Sequence, residues 1–143
     1  MDVILGVDLG EKNIGIAKSD ELGITASPLT VIHHVNREAD ADEIVRLAHT
    51  AGAKRILVGL PLDTDGSEGP AARHAQKMAE AIHSVFDGEV FLWDETGSTN
   101  SVKTDFIEMG VSKKNRRGHL DQFAAAWILR DYLESQRTSG GEI

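Results

Sequence analysis

Short apolar runs that end in turn-forming or acidic residues alternate along this chain with longer segments of helical period. That alternation restricts the fold more than any other feature. Val3-Ile4-Leu5-Gly6-Val7-Asp8 reads as a mostly buried strand closing on an acid. Turn chemistry from Gly10 to Asn13 leads into a returning strand over Ile14-Gly15-Ile16-Ala17-Lys18-Ser19, and a third strand is expected around Leu29-Thr30-Val31-Ile32, after Pro28. From Ala39 the period changes. Ile44, Leu47, Ala48 and Ala51 repeat at helical spacing with charges between them, and Gly52 stops this amphipathic helix. Arg55-Ile56-Leu57-Val58-Gly59-Leu60 reads as a buried parallel strand closing at Pro61. Ser67 or Gly69 can cap a second helix with Pro70 in its first turn and Ala72, Ala75, Met78, Ala79, Ile82 and Phe86 inward. Glu89-Val90-Phe91-Leu92-Trp93 is the last strand and ends at Asp94-Glu95. A helix from Ser98 or Thr99 through Val102, Phe106 and Met109 stops at Gly110; a final helix from about His119 to Leu133 turns Leu120, Phe123, Ala124, Trp127 and Ile128 inward. Strands alternating with helices in this order argue for an α/β sheet with helical cover.

A length of 143 residues fits one domain with one ordinary core. We expect that domain over residues 1–136, followed by a flexible tail at 137–143. Cysteine is absent, which excludes disulfides, thiolate zinc sites and cysteine nucleophiles together. No apolar run approaches the roughly 18 residues of a membrane span, and Met1-Asp2-Val3-Ile4 has no signal-peptide character, so no membrane partner and a cytoplasmic location are expected.

The net charge of −8 looks unfavourable for binding a polyanion. Its distribution says otherwise. Lys113-Lys114-Asn115-Arg116-Arg117-Gly118-His119 reads as a loop holding four of the 15 Lys and Arg and no acid, so the rest of the chain carries 11 cations against 23 acids, a net of −12. One compact cationic segment therefore sits on an acidic body.

Acids occupy three unusual places: Asp8 ends the first strand, Asp94 and Glu95 end the last, and Asp121 lies in the first turn of the final helix beside the basic segment. Sites in open α/β sheets collect outside strand ends, so such acids could converge on one cleft. Carboxylates without cysteine or histidine ligands suit hard cations such as Mg²⁺ or Mn²⁺. Each acid also has an ordinary structural role open to it: dipole electrostatics for Asp121, a tight turn for Asp8, and a solvated strand end for Asp94-Glu95. The six histidines show no zinc spacing, Asp63-Thr64-Asp65-Gly66 lacks a calcium-loop pattern, and no phosphate-binding glycine motif or nucleophile elbow occurs.

Four ordered segments resemble the YqgF/RuvX family of ribonuclease H-like nucleases, also described as Holliday junction resolvases or pre-16S rRNA nucleases. They are the stretch from Leu5 through Asp8-Leu9-Gly10 to Asp20, Val58-Gly59-Leu60-Pro61 with Asp65-Gly66-Ser67-Glu68-Gly69-Pro70, Leu92-Trp93-Asp94-Glu95 with Ser98-Thr99, and Gly110-Val111-Ser112-Lys113-Lys114 through Asp121 to Leu133. The resemblance covers the chain from Ile4 to about Leu133. It implies a ribonuclease H-like mixed five-stranded sheet with helices on both faces. It also implies Asp8, Glu95 and Asp121 as catalytic, metal-binding acids for Mg²⁺ or Mn²⁺, and Lys113, Lys114, Arg116, Arg117 and Lys12 as contacts to nucleic acid. The loop from Gly59 to Pro70 would line the same cleft. One departure stands out: Thr96-Gly97 replaces the Arg and apolar residue that usually follow the family's Asp-Glu pair, which removes a phosphate clamp or a charge partner.

These features lead to a divalent-metal-dependent nuclease as the expected function, with structured RNA such as the 5′ end of a pre-16S rRNA ahead of four-way DNA junctions. Association with the ribosome fits the first substrate. The chain would act as a monomer or homodimer, symmetric junction cutting requiring two sites in a dimer. A non-catalytic nucleic-acid-binding factor in ribosome maturation or transcription is the alternative from another class. An actin-like phosphotransferase, suggested by Asp8-Leu9-Gly10, would need two duplicated domains, and no second Asp-x-Gly occurs.

Overall fold

A computed structural model of the chain describes residues 2–61, 69–94 and 116–141; in the last segment, side chains are described for 123–136. The elements are β1 (Val3–Leu9), β2 (Asn13–Ser19), β3 (Ala26–His33), α1 (Arg37–Ala51), β4 (Ala53–Leu60), α2 (Pro70–Val85), β5 (Glu89–Asp94) and α3 (Arg116–Gly141). The five strands form one sheet in the order β3-β2-β1-β4-β5. β1 pairs antiparallel with β2 and β2 with β3, whereas β1–β4 and β4–β5 are parallel. This is the mixed five-stranded sheet with helices on both faces that the family resemblance implies. The helix expected from Ser98 or Thr99 to Met109 lies outside the described residues.

β1 is central because its residues can be buried on both sides. Leu5 and Val7 join one cluster with Ile14, Ile16, Ile44, Ala48, Ile56, Val58, Met78 and Ile82, which packs α1 and α2 on one face. Ile4 joins a second cluster with Ala17, Leu57, Ala125, Ile128, Leu129, Tyr132 and Leu133, which packs α3 on the other. Strand alternation therefore assigns odd positions of β1 to the α1/α2 face and even positions to the α3 face.

β3 is longer than expected and carries Pro28 within it. It is an edge strand, where a missing N–H is tolerated. The register slips beside that proline: Ile16 faces Thr30 and Ala17 faces Pro28, so Leu29 is passed over.

α1 begins at Arg37, two residues before the periodicity is visible, because the Asn36 side chain caps it by accepting from the Ala39 N–H at 2.8 Å. Gly52 ends it in the left-handed region at φ 73°, donating its N–H to Ala48 and His49 carbonyls. Gly69 is the N-cap of α2, with Pro70 opening the helix.

α3 requires two corrections. It starts at Arg116, so Arg116 and Arg117 belong to a helix and not to a loop. Among its described side chains the buried ones are Ala125, Ala126, Ile128, Leu129, Tyr132 and Leu133; of the residues expected inward, Ile128 is buried, Ala124 and Trp127 are half-buried, Phe123 is 38% exposed, and Leu120 lies outside the described side chains. The inward face is turned from the one periodicity suggests because small residues let the helix sit close to the strand. A Cβ on Gly6 would stand 3.1 Å from Leu129 Cβ and 3.2 Å from the Ala125 carbonyl oxygen. Gly6 thus meets the helix where any side chain would hold it off.

Candidate active-site edge

Asp8 lies one residue from the end of β1, paired across the sheet with Gly15 of β2. Its even position puts it on the α3 face, two residues beyond Gly6, and it is half-buried. The neighbouring positions on this face are small: Gly15 lies opposite Asp8, and Ala17 opposite Gly6. An acid at a strand end beside a helix that approaches this closely is well placed for chemistry.

The strand ends on either side align with it. Val7, Val58 and Leu92 stand side by side across β1, β4 and β5. Asp8 is one residue past that row and Asp94 two past it. β1 and β5 are separated by one strand, roughly 10 Å at ordinary strand spacing. Phe91 and Trp93 pack against the α3 cluster, while Val90 and Leu92 pack against the α1/α2 cluster. Asp94 therefore shares the α1/α2 face and is separated from Asp8 by the sheet. Glu95 is the next odd position after Trp93 in sequence and lies outside the described residues, as do Lys113 and Lys114.

α3 runs back along β1. Leu129 and Ala125 both meet Gly6, and the helical backbone continues through position 121, one turn before Ala125. The side chains of Arg116, Arg117 and Asp121 are outside the described set. Among the described residues, no group of three His, Cys, Asp or Glu is assembled that could hold a metal. Of the expected acids, then, the described structure fixes the position of Asp8 and the backbone position of Asp121.

Away from the edge, α3 is anchored by an aromatic and cationic cluster. Arg55 Nη1 donates to the Tyr132 hydroxyl at 3.0 Å, and its guanidinium lies 5.8 Å from the Phe91 ring centre and 5.9 Å from that of Tyr132. Trp93 packs edge-on against Tyr132 with centroids 5.2 Å apart, and its Nε1–H donates to Asp131 at 2.9 Å. These contacts tie one side of α3 to β4 and β5, while the helix itself lies over β1, β2 and β3.

Two further features of this sheet end were not found from sequence. Asp40 is 2% exposed although it lies in the first turn of α1. It accepts from the Val35 N–H at 3.0 Å and pairs with His34 Nδ1 at 2.5 Å, tying the end of β3 to α1. Beside His34 stands His74 of α2, ring centroids 6.5 Å apart and edge-on. Burial first, then the charges of Arg37 and His34, push the His74 pKa below the ordinary histidine value. The adjacency His33-His34 reads only as a strand end, because the partners that give these rings a role come from other elements.

Lys12, in the β1–β2 turn, is exposed at the same end of the sheet as Asp8. The turn is closed by the Gly10 N–H donating to the Asn13 carbonyl at 2.9 Å. No helix among the described residues is long and apolar enough to cross a membrane.

Comparison with known proteins shows the fold and the family. A Thermus thermophilus RuvC in complex with a Holliday junction substrate superposes with a TM-score of 0.59 at 14% identity, covering 96% of each chain. The fowlpox virus Holliday junction resolvase gives 0.57 at 17% identity, covering 93% of this chain and 99% of that one. At this distance the likeness shows the fold. In sequence, a Myxococcus xanthus protein named "Putative pre-16S rRNA nuclease" is 38% identical over 93% of this chain and 88% of its own length. A Bacillus cytotoxicus protein of the same name is 38% identical over 93% of this chain and 98% of its own length. The sequence model of the family described as RuvX, Holliday junction resolvase, matches residues 2–135, and the chain belongs to that family.

Proposed function

We propose that the chain is a divalent-metal-dependent nuclease that cuts phosphodiester bonds in structured RNA, with the 5′ end of a pre-16S rRNA as the leading substrate. The observation that carries this reading is Asp8: a half-buried carboxylate at the end of the central strand, on the face where Gly6 brings α3 down. The name borne by the Myxococcus and Bacillus relatives favours RNA.

The donor chemistry suits a hard cation, since carboxylate oxygens are the ligands that Mg²⁺ and Mn²⁺ prefer and the chain has no cysteine to favour a softer one. Asp8, Glu95 and Asp121 would hold it. When bound, the ion or ion pair supplies Lewis-acid polarisation of the phosphate and a nucleophilic water at neutral pH. The chain's own residues do the rest. Asp8 presents negative charge from a strand held rigid by hydrogen-bonded neighbours on both sides. Position 121 reaches the same edge through the helix seated on Gly6. Lys12, with Lys113, Lys114, Arg116 and Arg117, would neutralise backbone phosphates on either side of the scissile bond. Association with the ribosome follows from the rRNA substrate.

Four-way DNA is the second reading, favoured by the family's description and by the junction complex among the structural neighbours. It would require a homodimer to cut both strands symmetrically.

The test offers end-labelled precursor-rRNA fragments and a four-way DNA junction to the wild type and to Asp8→Asn, with Mg²⁺ or Mn²⁺. Metal-dependent cutting that falls more than about 100-fold in the variant supports the nuclease, since loss of a direct ligand should exceed the 10–100-fold cost of losing an outer-sphere partner. The substrate that is cut decides RNA against DNA. Binding without cutting by the wild type would overturn the enzyme in favour of a binding factor.

A further inference from the structure

The α3 face has a second concave place, at the end of the sheet remote from Asp8. A cavity of about 210 Å³ lies there between the start of β1, the β2–β3 turn and the second half of α3. Ile4 lines it from the sheet, four residues before Asp8 on β1 and so roughly 13 Å away at ordinary strand rise. Tyr132 and Leu133, both buried, line it from the helix.

Local chemistry builds the opposite wall. In the β2–β3 turn the Asp20 carboxylate accepts from the Ile24 N–H at 2.7 Å and from the Thr25 N–H at 3.1 Å. Gly23 takes the left-handed region there at φ 70°. The braced turn fixes Leu22 at the rim of the cavity, where it is 64% exposed. An apolar side chain held in water gains by being covered.

Arg55 of β4 is the charged residue among the described walls, and it stands beside Ile4 in register. It is half-buried, donates to the Tyr132 hydroxyl, and lies against the Phe91 and Tyr132 rings. Every one of those partners is neutral. Glu89 adjoins Arg55 in register on β5 but is exposed, and Asp131 receives the Trp93 N–H. None of the ion pairs among the described residues includes Arg55. A guanidinium carries several N–H donors in one plane, and Tyr132 takes one of them. The hydroxyl and the two rings hold that plane still, so the other donors are presented in a fixed direction.

The ligand that suits these walls joins a planar anion to an apolar body. A carboxylate matches the guanidinium fork and brings the single charge that one Arg balances. A phosphate dianion would add a second charge to a half-buried place beside Glu89, at a cost in repulsion and desolvation. Ile4, Leu22, Leu133 and the Tyr132 ring suit a branched aliphatic chain, and the volume is below that of a drug-sized pocket. Gln136, exposed at the mouth, offers an amide to the carboxylate's outer side.

We propose that this cavity is a binding site for a small branched-chain carboxylate, either a free acid or the last residue of a peptide. The carboxylate sits on Arg55, and the apolar chain lies between Ile4, Leu22 and Leu133. The site goes beyond the nuclease reading and does not rest on it.

The experiment titrates isocaproate into the full chain and follows the backbone amide NMR signals. Isocaproamide serves as the neutral isostere, and acetate as the anion without an apolar body. Isocaproate should saturate with a Kd on the order of 0.1–10 mM and shift Leu22, Gly23, Leu133 and Gln136. Isocaproamide should bind at least about 10-fold more weakly, the loss expected for a charge-assisted pair, and acetate should not saturate in the same range. Arg55→Gln should erase the preference for the acid. Leu22→Ser, at an exposed wall, should weaken isocaproate by about 3–10-fold. Equal affinity for acid and amide overturns the site, as does saturation by acetate, which would show an adventitious ion only. Shifts confined to other residues overturn it too, as does a preference for the acid that survives Arg55→Gln. Where Arg55→Gln fails to fold, the acid–amide comparison and Leu22→Ser decide the matter. A leucine-ended peptide and its amidated form separate a chain terminus from a free acid, and Arg55-dependent binding of either source supports the site. The cleavage assay succeeds or fails separately from every one of these outcomes.

Discussion

The two faces of the sheet are packed by different means. The α1/α2 face is filled with branched and long side chains, with Leu5, Ile14, Ile16, Ile44, Ile56, Met78 and Ile82 all fully buried. The α3 face uses small residues where the helix crosses β1 and β2, namely Gly6, Ala17, Ala125 and Ala126, and sets its larger side chains around them: Ile4, Leu57, Ile128, Leu129 and Leu133, with the Arg55, Phe91, Trp93 and Tyr132 cluster reaching β4 and β5. The first face supplies burial. The second trades burial for closeness, and closeness is what carries the backbone of α3 past Gly6 toward the edge where Asp8 stands. Stability and site geometry are thus assigned largely to opposite sides of one sheet.

That division can be broken in graded steps. Ile56→Ala removes a fully buried side chain from the bulky face and should cost about 2–5 kcal/mol in a denaturant titration. The folded fraction should keep the wild-type turnover; a matching loss of turnover would show that the faces are not independent. Gly6→Ala adds one methyl where the gap is 3.1 Å to Leu129 Cβ and 3.2 Å to a backbone oxygen. It should cost about 1–3 kcal/mol, less than Ile56→Ala. Its effect on cleavage should nevertheless be the larger of the two, because α3 must shift at the turn that follows position 121. A variant with full turnover would separate the helix height from the site.

Smaller effects test the end of the bulky face where α1 and α2 begin. Asn36→Ala removes the side-chain acceptor of the Ala39 N–H and should lower stability by about 1 kcal/mol without altering substrate affinity. His74 gives the smallest effect, and its sign is fixed by linkage. Its pKa is depressed in the folded state, chiefly by burial and then by Arg37 and His34, so the unfolded chain binds the proton more readily. The stabilisation is present above the ordinary histidine value of about 6.5 and is lost as pH falls through the depressed folded value. Melting temperatures between about pH 7.5 and 5.5 should fall less steeply in His74→Gln than in the wild type. Equal slopes would remove His74 from the pH response.

How much of this was legible in the sequence follows from the range of the interactions involved. Strand and helix order is written in local periodicity, and Gly52 and Pro70 mark helix ends through their own backbone chemistry. Asp8 stood out because a carboxylate closing an apolar strand is unusual by itself. The start of α1 was less visible because a cap at Asn36 precedes any apolar repeat. The inward face of α3 was displaced because helical period alone cannot register the missing Cβ of a glycine more than 100 residues away.

The sequence by itself therefore determined the succession of the described elements, the α/β class and, through the family resemblance, the acids to examine. Each rests on spacing along the chain. Tertiary structure alone decided that β1 lies between an antiparallel and a parallel neighbour, that Asp94 falls on the face away from Asp8, and that His34, Arg37, Arg73, His74 and Lys77 share one end of the sheet. Those facts depend on which strands pair and how closely helices seat on them. Sheet pairing and the excluded volume of side chains set both, and neither leaves a local trace in sequence.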